Sequence, residues 1–155
     1  MKPILLVLFT LLSFPTSWAQ PTKNASSIEV GASRIQAYLP LLKNKKVGLV
    51  INQTSMVQGV SLLDTLLTLK VSISKIFTPE HGFRGSADAG AHIDNAVDTK
   101  TGIPIISLYG AHKQPTEADL ENIDVLVFDL QDVGVRFYTY ISTLEYVMQA
   151  GVKHH

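Results

Sequence analysis

Cysteine is absent from this chain of 155 residues. The absence excludes disulfides and the acylated cysteine of a lipoprotein. Charge is scarce and balanced, with 13 basic and 13 acidic residues and a formal net charge of zero. No basic run is present, so electrostatics lends no support to nucleic-acid binding, and no nucleic-acid partner is expected. The apolar run Ile4 to Leu12 is too short for a comfortable membrane span. No Gly-x-Gly-x-x-Gly follows the first strand-like run, and no Walker sequence occurs, so no dinucleotide or other cofactor is expected. The chain has no internal repeat and no low-complexity tract.

What is present divides the chain into three parts. Lys2, the apolar run and Ser17-Trp18-Ala19 compose a secretory signal peptide, cut after Ala19. Its removal takes Lys2 away and leaves a formal charge of −1. Residues 20–29 are polar, hold Pro21 and Asn24, and read as a flexible leader. Residues 30–155 are about one domain's worth of chain. That domain is expected to be incomplete, because only Gly151-Val-Lys-His-His155 follows the last helical stretch. The terminal His pair is not assigned to a metal. A periplasmic or secreted bacterial protein is expected, with no stable membrane insertion once the signal is removed.

Hydrophobic periodicity predicts alternating strands and helices. Residues 30–42 read as a helix that Pro40 kinks or ends. Lys46 to Ile51 is a buried strand, Ser61 to Leu69 a helix, and Ile73 to Phe77 a second strand. Residues 78–101 are irregular. Ile103 to Leu108 is a third strand, with Pro104 at its start. Thr116 caps a helix that runs to Asn122. Asp124 to Leu130 is the clearest buried strand, and a helix over Ser142 to Ala150 follows, which Gly151 could end. Strands buried on both faces and separated by helices imply a mostly parallel sheet. The fold class is α/β, a Rossmann-like three-layer domain.

In such a sheet all the strand C-termini share one edge, and ligands bind there. The segments at that edge are rich in functional groups. Phe77-Thr-Pro-Glu-His-Gly-Phe-Arg-Gly85 sets a carboxylate, an imidazole and a guanidinium within five positions. Asn52-Gln-Thr-Ser55, Tyr109-Gly110 and Gln131-Asp-Val-Gly-Val-Arg-Phe-Tyr-Thr-Tyr140 add amides, a carboxylate, an arginine and tyrosines. The mixture suits a hydroxyl-rich ligand carrying an acidic group.

These motifs carry a resemblance. The segment 77–85, then Ala87-Asp-Ala-Gly90, Thr101-Gly-Ile-Pro104, Ser107-Leu-Tyr-Gly110 and the long run from Asp124 to Thr143 closely resemble the exo-β-N-acetylmuramidases (NamZ-like proteins). Asn52-Gln-Thr54 fits the same pattern. The likeness runs in order from about Val47 to the end. It implies a glycoside hydrolase that removes N-acetylmuramic acid from the non-reducing end of peptidoglycan fragments. It also implies a Rossmann-like N-terminal domain, a smaller C-terminal domain absent from this chain, and a site in the cleft between them.

Under that resemblance, roles follow from chemistry. Glycoside hydrolysis needs a proton donor and commonly a second carboxylate. Glu80 is the candidate acid; otherwise it is a helix cap or a surface ion-pair partner. His81 orients Glu80 or the acetamido group, or is simply satisfied within its loop. Asp129 and Asp132 are candidates for the second carboxylate or for sugar hydroxyls, although Asp129 equally suits a loop cap. Arg84 and Arg136 suit the lactyl carboxylate of muramic acid or a local Asp. Tyr138 and Tyr140 either line the sugar site or pack beside the helix start. Asn52 and Gln53 are sugar ligands or turn formers. Two other classes stay open. One is a metal-dependent hydrolase using Glu80, His81, Asp88, His92, Asp129 and Asp132, whose spacing matches no standard zinc motif. The other is a wall-binding module without turnover.

Overall fold

The computed structural model of the chain describes residues 28–79 and 96–154. The signal-peptide assignment lies outside these residues, as does nearly all of the leader. After a 3₁₀ turn at Gly31–Ser33 come α1 (Ile35–Leu42), β1 (Lys46–Ile51), β2 (Met56–Val57), β3 (Val60–Ser61) and α2 (Leu62–Thr68). Then follow β4 (Ser72–Thr78), β5 (Ala96–Val97), β6 (Pro104–Ser107), α3 (Glu117–Leu120), β7 (Val125–Asp129) and α4 (Tyr140–His154).

Val47, Leu49, Val50 and Ile51 of β1 have no solvent exposure at all. A strand without a wet face needs neighbours on both sides and layers above and below. β1 accordingly lies inside a five-stranded sheet of order β5-β6-β4-β1-β7. It pairs in parallel with β4 and β7, and β4 pairs in parallel with β6. Only β5 runs antiparallel, against β6. Alternate residues then build two cores. Val47, Leu49, Ile51, Val125 and Val127 meet α1 and α2 on one face. Val50, Phe77, Leu126 and Phe128 meet Leu120 near the end of α3 and Val147 and Ala150 of α4 on the other. The three-layer Rossmann-like α/β class is the observed one.

Gly48 sits where these layers are tightest. A Cβ there would lie 2.8 Å from Leu126 Cδ2, 2.9 Å from Ile123 Cδ1 and 3.1 Å from a Phe77 ring carbon. Gly→Ala in a strand ordinarily helps by restricting the unfolded chain. Here overpacking outweighs that gain, and Gly48→Ala is expected to destabilise by about 1–3 kcal/mol. A urea titration checks this; a midpoint equal to or above wild type contradicts it.

Five local readings are corrected. Asp124 to Leu130, read as the clearest buried strand, is only partly buried, because β7 forms the edge of the sheet beside β1. A small hairpin, β2–β3, precedes α2, where only the helix was predicted. Its turn holds Gln58 and Gly59 at φ 49° and 82°, a conformation invisible to hydrophobic periodicity. β5 forms inside the segment predicted irregular, because the edge of β6 offers it partners. The helix read over residues 30–42 begins only at Ile35, and Pro40 lies inside it without ending it, since α1 runs on to Leu42. Gly151 does not end α4, which runs to His154. A glycine stops a helix only when a left-handed residue follows the last turn, and Gly151 has no positive φ. The Thr116 cap is present as expected: its hydroxyl accepts from Asp119 N–H at 3.3 Å, and Asp119 accepts from Thr116 N–H at 2.7 Å.

Candidate active site

The chain leaves β1 toward α2 on one face of the sheet and leaves β7 toward α4 on the other. The two connections therefore part at the C-terminal edge, between adjacent strands. A crevice at such a switch point is where open α/β sheets take ligands. A cleft of about 470 Å³ lies there, lined among others by Gln53, Thr54, Gln131, Phe137, Tyr138 and Tyr140. A second cleft of about 350 Å³ adjoins it, and Thr139 lines both. Pro79, the residue before Glu80 in the chain, lines the second with Tyr109 and Gly110.

Asn52 organises the first cleft from beneath. It is only 2% exposed. Its Oδ1 accepts from Thr54 N–H at 2.9 Å and from the Thr54 hydroxyl at 2.7 Å, an Asx turn. Its Nδ2 donates to Tyr140 Oη at 3.1 Å, tying the β1 loop to the start of α4. Its own N–H donates to Ser55 Oγ at 3.2 Å, and Ser55 Oγ donates to the carbonyl of Asp129. One buried network thus joins the ends of β1, β7 and α4. Asn52 is committed within the protein, while the next residues, Gln53 and Thr54, face the cleft.

The outer wall is aromatic. Phe137 is 91% exposed and Tyr138 is 45% exposed. Tyr138 and Tyr140 meet edge to face, with ring centroids 5.7 Å apart. Asp132 accepts from Gly134 N–H at 2.7 Å and so shapes its own turn, where Gly134 has φ 69°. Arg136 is exposed and does not line the cleft.

Asp129 ends β7 half-buried, and its side chain does not line the cleft either. Strand alternation turns it to the α1 face, with Val125 and Val127. Burial pushes its carboxyl above the usual carboxylate range. The phenol of Tyr38 is raised by its own burial and then by the charge of Asp129. A folded pKa above the unfolded value makes ionisation oppose folding. The penalty is full above the folded pKa and fades as pH falls toward the unfolded value, about 3.9. Asp129→Asn is therefore expected to raise the melting temperature at pH 7 but not at pH 3. Equal gains at both pH values, measured by thermal unfolding, would contradict this.

Glu80, His81 and Arg84, and with them Asp88 and His92, lie outside the described residues. Among the described residues, no three His, Asp or Glu side chains gather to hold a metal. Thr54, Gln131 and Phe137 lie in segments expected at this edge, but none of them was singled out as a site residue. Nothing in the local pattern around Phe137 distinguishes a bare aromatic from a buried one.

Comparison with known proteins agrees with this fold. The structural likeness is to two DUF1343 family proteins from Bacteroides fragilis NCTC 9343. One is 42% identical with a TM-score of 0.68, covering 80% of this chain and 31% of that one. The other is 37% identical with a TM-score of 0.68, covering 77% and 30%. Over 117 residues the chain is 46% identical to the peptidoglycan beta-N-acetylmuramidase NamZ of Bacillus subtilis (strain 168), covering 73% of this chain and 28% of that protein. It thus spans less than a third of the length of each of these relatives. Residues 47–155, which carry β1 through α4 and the whole cleft, match the family described as exo-beta-N-acetylmuramidase NamZ, N-terminal, and the chain belongs to that family.

Proposed function

We propose that the cleft between β1 and β7 is part of a glycosidase site. It takes the non-reducing end of peptidoglycan fragments and releases β-1,4-linked N-acetylmuramic acid. The observation that supports this most is the composition of the cleft: amides and hydroxyls from Gln53, Thr54 and Gln131 face an aromatic wall of Phe137 and Tyr138. Amides satisfy sugar hydroxyls and an acetamido group, and aromatic faces cover the apolar side of a pyranose.

In this reading Glu80 protonates the departing oxygen and His81 orients it. Asp132 is the candidate for the second carboxylate, since the Asp129 side chain turns away from the cleft. Arg84 or Arg136 pairs with the lactyl carboxylate, which distinguishes muramic acid from glucosamine. Asn52 and Tyr140 keep Gln53 and Tyr138 in place. We place the activity in a chain extended to the length of the relatives, and the signal peptide read at residues 1–19 carries it out of the cytoplasm.

The test compares nitrophenyl β-N-acetylmuraminide with nitrophenyl β-N-acetylglucosaminide, using the longer gene product. Release from the first and little from the second is the expected result. A folded protein that binds muropeptides and releases nothing from either would replace this reading with a wall-binding module.

A further inference from the structure

The opposite edge of the sheet carries a feature the muramidase reading does not use. Where α1 runs into β1 and α2 runs into β4, a concavity of about 590 Å³ opens. Leu39, Pro40 and Leu69 give it apolar walls, and Lys43, Lys45 and Lys70 stand around it. No acidic residue lines it. All three lysines are exposed, and no ion pair to them occurs among the described residues. Asp124, the acid near this edge, accepts from the backbone N–H of Lys46 at 2.7 Å. Beside the lysines Leu69 is 40% exposed and Leu41 is 70% exposed.

A basic residue after a helix offsets the helix dipole, and Lys43 and Lys70 follow α1 and α2. That accounts for one charge at each helix end. It accounts neither for Lys45 nor for the bare leucines. Lys70 also holds φ 60°, a left-handed conformation that glycine or asparagine adopts more readily. A charge is kept at a backbone position that disfavours a side chain.

We propose that this edge is a docking surface for an anionic phospholipid bilayer. Lysines around exposed leucines match such a surface: the ammonium groups meet the headgroups and the leucines enter the acyl boundary. The edge lies roughly 20 Å, the length of β1, from the cleft. Adsorption there leaves the cleft facing away from the membrane. The inference stands on charge and shape alone and does not depend on the muramidase reading.

Cosedimentation with phosphatidylglycerol and phosphatidylcholine vesicles tests it. Selective binding to phosphatidylglycerol is expected, weakening as salt shortens the screening length. The combined variant Lys43→Glu, Lys45→Glu and Lys70→Glu is expected to lower partitioning at least about a hundredfold. Lys70→Gly removes one charge and the backbone strain together. It is expected to bind about fivefold more weakly while melting no lower than wild type. Equal binding to both vesicles, or wild-type binding by the triple variant, would overturn the proposal.

Discussion

Glu80→Gln in the longer gene product is expected to lower turnover of a muramic-acid-terminated glycan by about 10²–10⁴-fold. The amide is nearly isosteric with the acid but has no proton to give. A sugar alkoxide is a poor leaving group and needs that proton as the bond breaks. A nitrophenolate leaves with little help, so the aryl muraminide is expected to lose far less. The two substrates together separate proton donation from binding. If Glu80 only positioned the substrate, both would fall by the same factor. Near-normal turnover of the glycan would remove Glu80 from the role.

Asn52→Ala is the substitution expected to weaken the fold most. It removes three hydrogen bonds from a group that is 2% exposed, including the one that joins the β1 loop to Tyr140. Each buried bond contributes about 1 kcal/mol net, and a donor left dry costs more, so a loss of about 2–4 kcal/mol is expected. For a domain of this size that corresponds to a fall in melting temperature of roughly 4–16 °C. Asn52→Asp keeps the Oδ1 acceptor for Thr54 and lets the Tyr140 hydroxyl turn round and donate, although it adds a buried charge. It is expected to fall between wild type and alanine at pH 5 and to approach alanine as pH rises. A melting temperature for Asn52→Ala within 1 °C of wild type, on the scale where each kcal/mol shifts it by roughly 2–4 °C, would show that the network does not hold the cleft together.

Much of this was open to reading in one dimension, and the reason is local. Lys46 to Ile51 and Asp124 to Leu130 are short apolar runs without a polar face and read as buried strands; β1 is buried from Val47 to Ile51, whereas β7 is only partly buried because it forms the edge of the sheet. Two such strands separated by helical stretches imply a parallel sheet, and a parallel sheet puts its strand ends on one edge. The cap at Thr116 follows from its own hydroxyl and the Asp three residues on. The likeness carried by residues 77–85 and 124–143 rests on order and wording, not on packing.

Where the signal depended on a distant partner, the same reading failed. β5 is a strand only because β6 presents an edge to it, and nothing within Ala96–Val97 requires one. Gln131 and Phe137 became cleft residues because β7 lies against β1, 78 residues earlier in the chain. Asn52 was read as a sugar ligand or a turn former, and Tyr140 as lining the sugar site or packing beside the helix start. Tyr140 does line the cleft, yet their 3.1 Å bond exists only because α4 begins beneath the β1 loop, and it turns Asn52 inward. The lysines at 43, 45 and 70 gave no basic run, and they form a patch because two helices end side by side. Sequence alone determined which segments had to be buried and which groups the strand ends carry, since both are properties of neighbouring residues. Only the tertiary structure decided which of those groups meet, because contacts between distant segments depend on strand order and crossover, and no local pattern encodes either.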